Sequence, residues 1–218
     1  MAKDKTLFSC HECGATSPRW LGKCPGCGAW NTLVETVAEV PGTSKNRLST
    51  SSGQYAGLAQ AQAVQPLAAI EASEVARTPT GLDELDRVLG GGMVEGGVVL
   101  IGGDPGIGKS TLLLQALDAL QRLGLPTLYV TGEESGAQVA LRSRRLGLEG
   151  SQVNVLAEIQ LEKILATVEA TQPAVCVIDS IQTVYSDQLS SAPGSVAQVR
   201  ECAAHLTRLA KATGVAVV

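Results

Sequence analysis

From about Thr78 onward the chain alternates short, almost wholly apolar runs with longer stretches in which apolar residues recur at helical spacing. Thr80 stands ahead of Leu82, Leu85 and Leu89, a stripe that predicts a helix capped by Thr80 and ended by Gly90-Gly91-Gly92. Residues 98–101 predict a short strand. Residues 111–123 predict a helix, with Leu113, Ala116, Leu117 and Leu120 on one face and a stop at Gly124. Strands are then expected at 127–131, 153–156 and 174–178, and another begins at 215. Between them lie a helix over 135–146 ended by Gly147, a helix marked by Leu161, Ile164, Leu165 and Val168, and a helix marked by Val199, Cys202, Ala203 and Leu206. Strands that are apolar throughout are buried on both faces, so the alternation predicts an α/β fold with a mainly parallel sheet.

Ahead of this pattern the chain is built differently. Residues 1–34 hold four of the six cysteines together with Phe8, Trp20 and Trp30, and residues 35–77 are rich in Thr, Ser, Gly, Ala and Gln with no sustained period. The expected organisation is a small unit at 1–34, a flexible linker at 35–77 whose alanine-rich later half could hold a short helix, and a large domain at 78–218. With aromatics at only 3% overall, that domain must build its core from Leu, Val, Ile and Ala.

Charge sharpens the division. Residues 1–34 carry four basic and two acidic side chains, whereas 79–218 carry ten basic and fifteen acidic ones. The acidic excess is no electrostatic footprint for nucleic acid, so such a partner would need a local basic strip or the small N-terminal unit. Arg142, Arg144 and Arg145 form the densest basic cluster of the large domain, read as a solvated helix face with a subunit or DNA contact as the alternative. The start carries Lys3, Asp4 and Lys5 without an apolar segment, which argues against a secretory signal, and no run approaches the roughly 20 apolar residues that span a bilayer. A cytoplasmic protein with reduced thiols is expected.

In that setting paired cysteines point to metal. Cys10-His11-Glu12-Cys13 and Cys24-Pro25-Gly26-Cys27 are two C-x2-C pairs ten residues apart. Each turn directs two sulfurs into one concavity, and two such knuckles complete a tetrahedral thiolate shell for a structural Zn²⁺. A redox dithiol or a disulfide pair are the alternatives. His11 is expected to face solvent. Trp20, Arg19, Lys23 and Trp30 could contact nucleic acid, but in so small a unit the tryptophans serve equally well as core. Cys176 and Cys202 read as buried packing.

The large domain opens on Gly103-Asp104-Pro105-Gly106-Ile107-Gly108-Lys109-Ser110, a complete G-x4-G-K-[ST] phosphate loop with a strand expected before it and a helix, beginning at Thr111, after it. Its glycines let backbone N–H groups cradle phosphates at a helix N-terminus, Lys109 would reach the β- and γ-phosphates of ATP, and the Ser110 hydroxyl would ligate Mg²⁺. Asp179, at the end of the 174–178 strand, has the form of a second Mg²⁺ ligand. Glu133 and Glu134 follow the 127–131 strand, where one of them could orient the attacking water. The alternative is that both simply begin the next helix, where carboxylates are favoured.

Taken together, Thr80-Gly81-Leu82-Asp83-Glu84-Leu85-Asp86 with the Gly90 triplet, residues 102–111, Gly132-Glu133-Glu134-Ser135 and Asp179-Ser180-Ile181-Gln182-Thr183 resemble the RecA-like ATPase core. The ribbon's Trp20-Leu21-Gly22-Lys23-Cys24-Pro25-Gly26-Cys27-Gly28 and Trp30-Asn31-Thr32-Leu33 narrow the resemblance to the zinc-bearing, DNA-repair branch of that family. The resemblance implies an ATP-driven, ring-forming motor, hexameric when whole, that acts on single-stranded and branched DNA, promotes branch migration and works with the RecA recombinase. It also assigns water activation to Glu133 or Glu134. Members continue past the equivalent of Val218, so the core is expected to be incomplete at its C-terminus.

Overall fold

A computed structural model describes residues 6–37 and 76–218; most of the expected linker, with its alanine-rich half, lies outside the described residues. The N-terminal part is a three-stranded antiparallel sheet of β1 (Thr6–Cys10), β2 (Thr16–Ser17) and β3 (Leu33–Val37), in the order β2-β1-β3. β3 continues past Val34, and pairs along all of β1 from Cys10↔Leu33 to Thr6↔Val37. Its apolar interior is small: Cys10, Cys24 and Leu33 are buried, with Phe8 and Ala15 packed against them. A cluster of that size cannot hold a fold alone, which leaves metal ligation as the main source of order.

The larger part begins with a two-stranded antiparallel sheet, β4 (Arg77–Thr78) with β5 (Met93–Val94), around helix α1 (Asp83–Val88). Thr80 does not cap α1. Its backbone N–H and hydroxyl both donate to Asp86 Oδ1, at 2.7 and 2.8 Å, and the Gly81 N–H donates to Oδ2. The helix's own carboxylate therefore organises the turn that precedes it, and Thr80 is fully buried. Gly92 takes a positive φ of 129°, and a Cβ there would lie 2.2 Å from the Thr78 carbonyl oxygen, so only glycine lets β4 and β5 meet.

Four parallel strands then form the main sheet in the order β7-β6-β8-β9: β6 (Thr127–Thr131), β7 (Asn154–Ala157), β8 (Val175–Asp179) and β9 (Ala216–Val217). The helices connecting them are α2 (Lys109–Arg122), α3 (Gly136–Arg145), α4 (Leu161–Thr171) and α5 (Val196–Thr213). Strand alternation sends Leu128, Val130 and Cys176 into one apolar layer with Ile164, Val168 and Leu206. Tyr129, Val175 and Val177 enter the other with Leu114, Leu117, Leu120 and Val139. Burial on both faces is what makes the middles of the inner strands β6 and β8 apolar, whereas the edge strand β7 is largely exposed.

The strand expected at 98–101 forms only in part. Val98 bridges to Val217, with bonds from Val217 N–H to the Gly97 carbonyl and from Val99 N–H to the Val217 carbonyl. β9 offers just two residues to pair with, and among the described residues nothing pairs on the other side, where Leu100 is 85% exposed.

Gln198, in the first turn of α5, organises the 186–191 loop from beneath. Its Oε1 accepts from Ser186 N–H at 2.9 Å, and its Nε2 faces the carbonyls of Ser186, Leu189 and Ser191 at 3.1, 3.5 and 3.0 Å. Leucine at this 1% exposed position would strand these polar groups away from water, at about 1–3 kcal/mol for each left unpaired. Gln198→Leu is therefore expected to lower stability by about 2–4 kcal/mol and to speed amide exchange across 186–191, checked by denaturant titration and hydrogen exchange.

Candidate functional site

Two groups of side chains singled out in the sequence come together among the described residues. The first lies at the carboxyl ends of the parallel strands, where α/β sheets place their ligands. Residues 103–108 lead from the 97–99 segment into α2, which starts at Lys109 rather than Thr111, with Gly108 as its N-cap. Lys109, Ser110 and Thr111 thus occupy the first helical turn, where unpaired N–H groups and the helix dipole favour anions. Gly106 and Gly108 take positive φ of 80° and 105°, and no heavy atom lies within 4 Å of where their Cβ would stand. The loop is open on that side and its backbone requires glycine. Asp104, Pro105 and Ile107 form its exposed outer part. Lys109 Nζ lies across the loop and donates to the carbonyls of Gly103 at 2.7 Å and Asp104 at 2.9 Å.

Parallel register sets Thr131 of β6 beside Asp179 of β8, and the Gly132 N–H donates to the Asp179 carbonyl at 3.0 Å. A Cβ at Gly132 would fall 2.0 Å from Thr183 Oγ1, so glycine is what lets the 180–183 turn close against β6. Beyond this point the two glutamates part. Glu133 is exposed and accepts a hydrogen bond from Ser180 Oγ at 2.9 Å, next in sequence to Asp179. Glu134 turns back into the protein and pairs with Arg142, and its backbone N–H and C=O both bond to the Thr131 hydroxyl. Neither glutamate begins α3, which starts at Gly136 under a capping box of Ser135 and Gln138.

Asp179 is held as well. The hydroxyl of Tyr129 donates to Asp179 Oδ2, and Arg142 Nη1 donates to the same hydroxyl at 3.3 Å. Burial raises the Tyr129 phenol well above its ordinary range, and the bond and charge of Asp179 add to that, so it stays a proton donor. Burial works against the Arg142 charge, but Glu134 and Tyr129 outweigh it and hold the guanidinium protonated. Arg142 is therefore no part of a solvated face, as its side chain is only 15% exposed; Arg144 and Arg145 are exposed.

The chemistry of this edge suits a magnesium-bound nucleoside triphosphate. An open glycine loop at a helix N-terminus, a lysine, a hydroxyl and an oriented carboxylate are the donor set of that ligand. Ser110 and Asp179 could hold the metal.

The second centre is the N-terminal sheet. The Sγ atoms of Cys10, Cys13, Cys24 and Cys27 all lie within 4.8 Å of one another, with Cys10–Cys27 at 3.7 Å and Cys13–Cys24 at 3.6 Å. A tetrahedron with Zn–S bonds of about 2.3 Å has an edge of about 3.8 Å, so the four sulfurs are spaced to take zinc. The two knuckles share one turn, with Gly14 N–H on the Cys10 carbonyl and Gly28 N–H on that of Cys24. His11 is exposed and pairs with Glu12 at 3.2 Å. Trp20 and Trp30 are not core: they are 55% and 70% exposed, and Lys23 Nζ lies 5.7 Å from the Trp30 ring centroid. The sulfurs, Leu33 and Phe8 already fill the interior. The two later cysteines are inert by comparison, burial pushing the Cys176 thiol up to about 12 and the Cys202 thiol up to about 11.

A model of the AAA domain matches residues 63–218, and one described as a rubredoxin metal-binding domain matches residues 8–35. The DNA repair protein RadA of Pseudomonas aeruginosa is 55% identical over 217 residues, covering all of this chain and 46% of the relative. RadA of Escherichia coli is 53% identical over 221 residues, and RadA of Bacillus subtilis 48% over 215, covering 47% and 46% of those proteins. The chain belongs to the AAA domain family. It spans a little under half the length of these RadA relatives. No helix among the described residues is long and apolar enough to cross a membrane.

Tyr129 and Arg142 escape a reading of sequence alone. The available signal is spacing: Tyr129 is two residues before Thr131 on one strand face, and Arg142 is three beyond Val139, the buried residue of α3.

The ribbon's thiols give a prediction. The Thr32 hydroxyl draws Cys10 down to about 6; the Ala15 backbone draws Cys13 down, but Cys27, burial and the other sulfurs together push it up to about 12. Cys27 is also raised. Thiols with raised pKa hold their protons at neutral pH, and zinc must displace them. Affinity should therefore fall as pH is lowered from about 8 to about 6, with protons released on binding, checked by chelator competition in weakly buffered solution. Cys24→Ser should lose the metal.

Proposed function

We propose that this chain is the zinc-ribbon and nucleotide-binding part of a DNA-dependent ATPase of homologous recombination and DNA repair. Its parts are the expected ribbon at 1–34, linker at 35–77 and ATPase core at 78–218, with the edges moved by β3, which carries the ribbon to Val37, and by β4, which begins the core at Arg77. The observation that carries the reading is the phosphate loop on the first turn of α2, at the strand edge where Asp179 ends β8 and Glu133 follows β6. The loop N–H groups between Gly103 and Gly108, of which Pro105 supplies none, and the Lys109 ammonium bind the triphosphate. Lys109 exchanges the Gly103 and Asp104 carbonyls for phosphate oxygens as it does so. Ser110 and Asp179 would hold Mg²⁺, which would neutralise charge that develops on the transferred phosphoryl group.

The water-orienting role falls to Glu133. It is the exposed carboxylate of the pair and stands beside Asp179 through Ser180, whereas Glu134 is committed to Arg142. In the whole protein, hydrolysis would drive motion on single-stranded DNA and branch migration within a homohexameric ring, in partnership with the RecA recombinase, in the reducing cytoplasm. The RadA relatives' description as DNA repair proteins supports this reading. A second reading, a nucleotide-gated docking module with little motor activity, gains from the exposed Trp20 and Trp30, a surface suited to a partner.

Steady-state ATP turnover of the full-length protein, with and without single-stranded DNA at low salt, separates the two: stimulation supports the motor, and none supports docking. Lys109→Ala should abolish turnover. Glu133→Gln should keep ATP bound while slowing hydrolysis by about 10²-fold or more. Hydrolysis at the wild-type rate in Glu133→Gln would remove its assigned role.

A further inference from the structure

The side chains behind Asp179 are more elaborate than packing requires. Tyr129 is wholly buried in the middle of β6, where phenylalanine would fill the same volume without bringing a hydroxyl into the interior. Its hydroxyl donates to one oxygen of Asp179 and accepts from Arg142, which pairs in turn with Glu134. The chain crosses four separate pieces of backbone: β8, β6, α3 and the turn after β6. Glu134 itself is fixed by the Thr131 hydroxyl on both sides of its peptide, and its Oε2 is buried with no hydrogen-bond partner. It is thus anchored through Arg142 and its own backbone.

We propose that Tyr129 is a positioning residue for the carboxylate of Asp179, itself held in place by the Arg142–Glu134 ion pair. The inference rests on the reading of Asp179 as a magnesium ligand. A carboxylate at a strand end turns easily about its last torsion, which is broad and roughly two-fold. A phenol that donates to Oδ2 stops that rotation and leaves Oδ1 free to ligate. Such outer partners orient a ligand and raise affinity for the metal. The same chain gives the adjacent glutamates different work. Glu134 anchors the turn through Arg142 and Thr131, and that turn presents Glu133 toward Ser180.

The test is the metal dependence of nucleotide binding by the full-length protein, followed with a fluorescent ATP analogue as Mg²⁺, and separately Mn²⁺, is titrated. Tyr129→Phe should bind the analogue without metal as the wild type does, yet need about 10-fold more Mg²⁺ for half-maximal metal-dependent binding. At saturating Mg²⁺ its KM for ATP should be unchanged while kcat is lowered. Arg142→Gln, which cuts the chain one link further out and leaves the phenol in place, should shift the Mg²⁺ requirement by about 3-fold in the same direction. Wild-type metal dependence in both variants would overturn the proposal, and if Tyr129→Phe does not fold, wild-type dependence in Arg142→Gln alone overturns it. Asp179→Asn separates the two levels of inference. An unshifted Mg²⁺ requirement in Asp179→Asn would sink the reading of Asp179 itself, whereas a large shift there with none in Tyr129→Phe or Arg142→Gln would sink only the positioning role.

Discussion

The pairing of β6 with β8, in register from Thr127↔Val175 to Thr131↔Asp179, is the constraint on which the nucleotide edge depends. The two strands are the inner pair of the sheet, with Tyr129, Val175 and Val177 turned to one apolar layer and Leu128, Val130 and Cys176 to the other. Since period-two alternation fixes which residues face α2, Asp179 falls on the same face as Val177, and a slip by one residue would turn it to the opposite layer. Gly132 extends the match by one more bond to Asp179 and leaves room for the 180–183 turn. Every polar contact described around Asp179 and Glu133 starts from that register.

The ribbon rests on a different principle. It has almost no apolar interior, and its order comes from four sulfurs at tetrahedral spacing. Because those sulfurs, Leu33 and Phe8 close it, Trp20 and Trp30 are left outside, with Lys23 over the Trp30 ring. No acidic residue occurs between Cys13 and Val34, so this surface is cationic as well as aromatic. The chain therefore joins a metal-folded unit to one folded by hydrophobic burial, and the two respond to different perturbations: acid and chelators for the first, cavities and stranded polar groups for the second.

Local chemistry was the part most legible in the sequence. The apolar run at 127–131 coincides with β6 because a strand buried on both faces leaves no polar gap to blur its ends, and the phosphate loop and cysteine knuckles are contiguous motifs whose geometry is set within a few residues. What pattern missed was non-local. The start of α2 at Lys109 is dictated by Gly108 and not by the apolar stripe that begins further on. Thr80 gives its N–H and hydroxyl to Asp86, six residues away, instead of capping α1. Residues 98–101 have the composition of a strand, but a ladder needs a partner and β9 supplies two residues. Arg142 looks like one of three surface arginines until α3 is set against β6, when its position three residues from Val139 turns it inward to Glu134 and Tyr129. A charge cluster in sequence is thus divided by the helix into a buried member and two exposed ones.

We propose that the loop at 103–110 and the carboxylate at Asp179 form one site for a magnesium-bound nucleoside triphosphate. A crystal structure of the protein with a non-hydrolysable ATP analogue and Mg²⁺ tests it most directly. In that complex Lys109 Nζ should leave the carbonyls of Gly103 and Asp104 for the phosphates, Ser110 and Asp179 should both ligate the metal, and Tyr129 should still donate to Oδ2. Analogue density away from this loop, or Lys109 still bonded to those carbonyls beside a bound triphosphate, would contradict it.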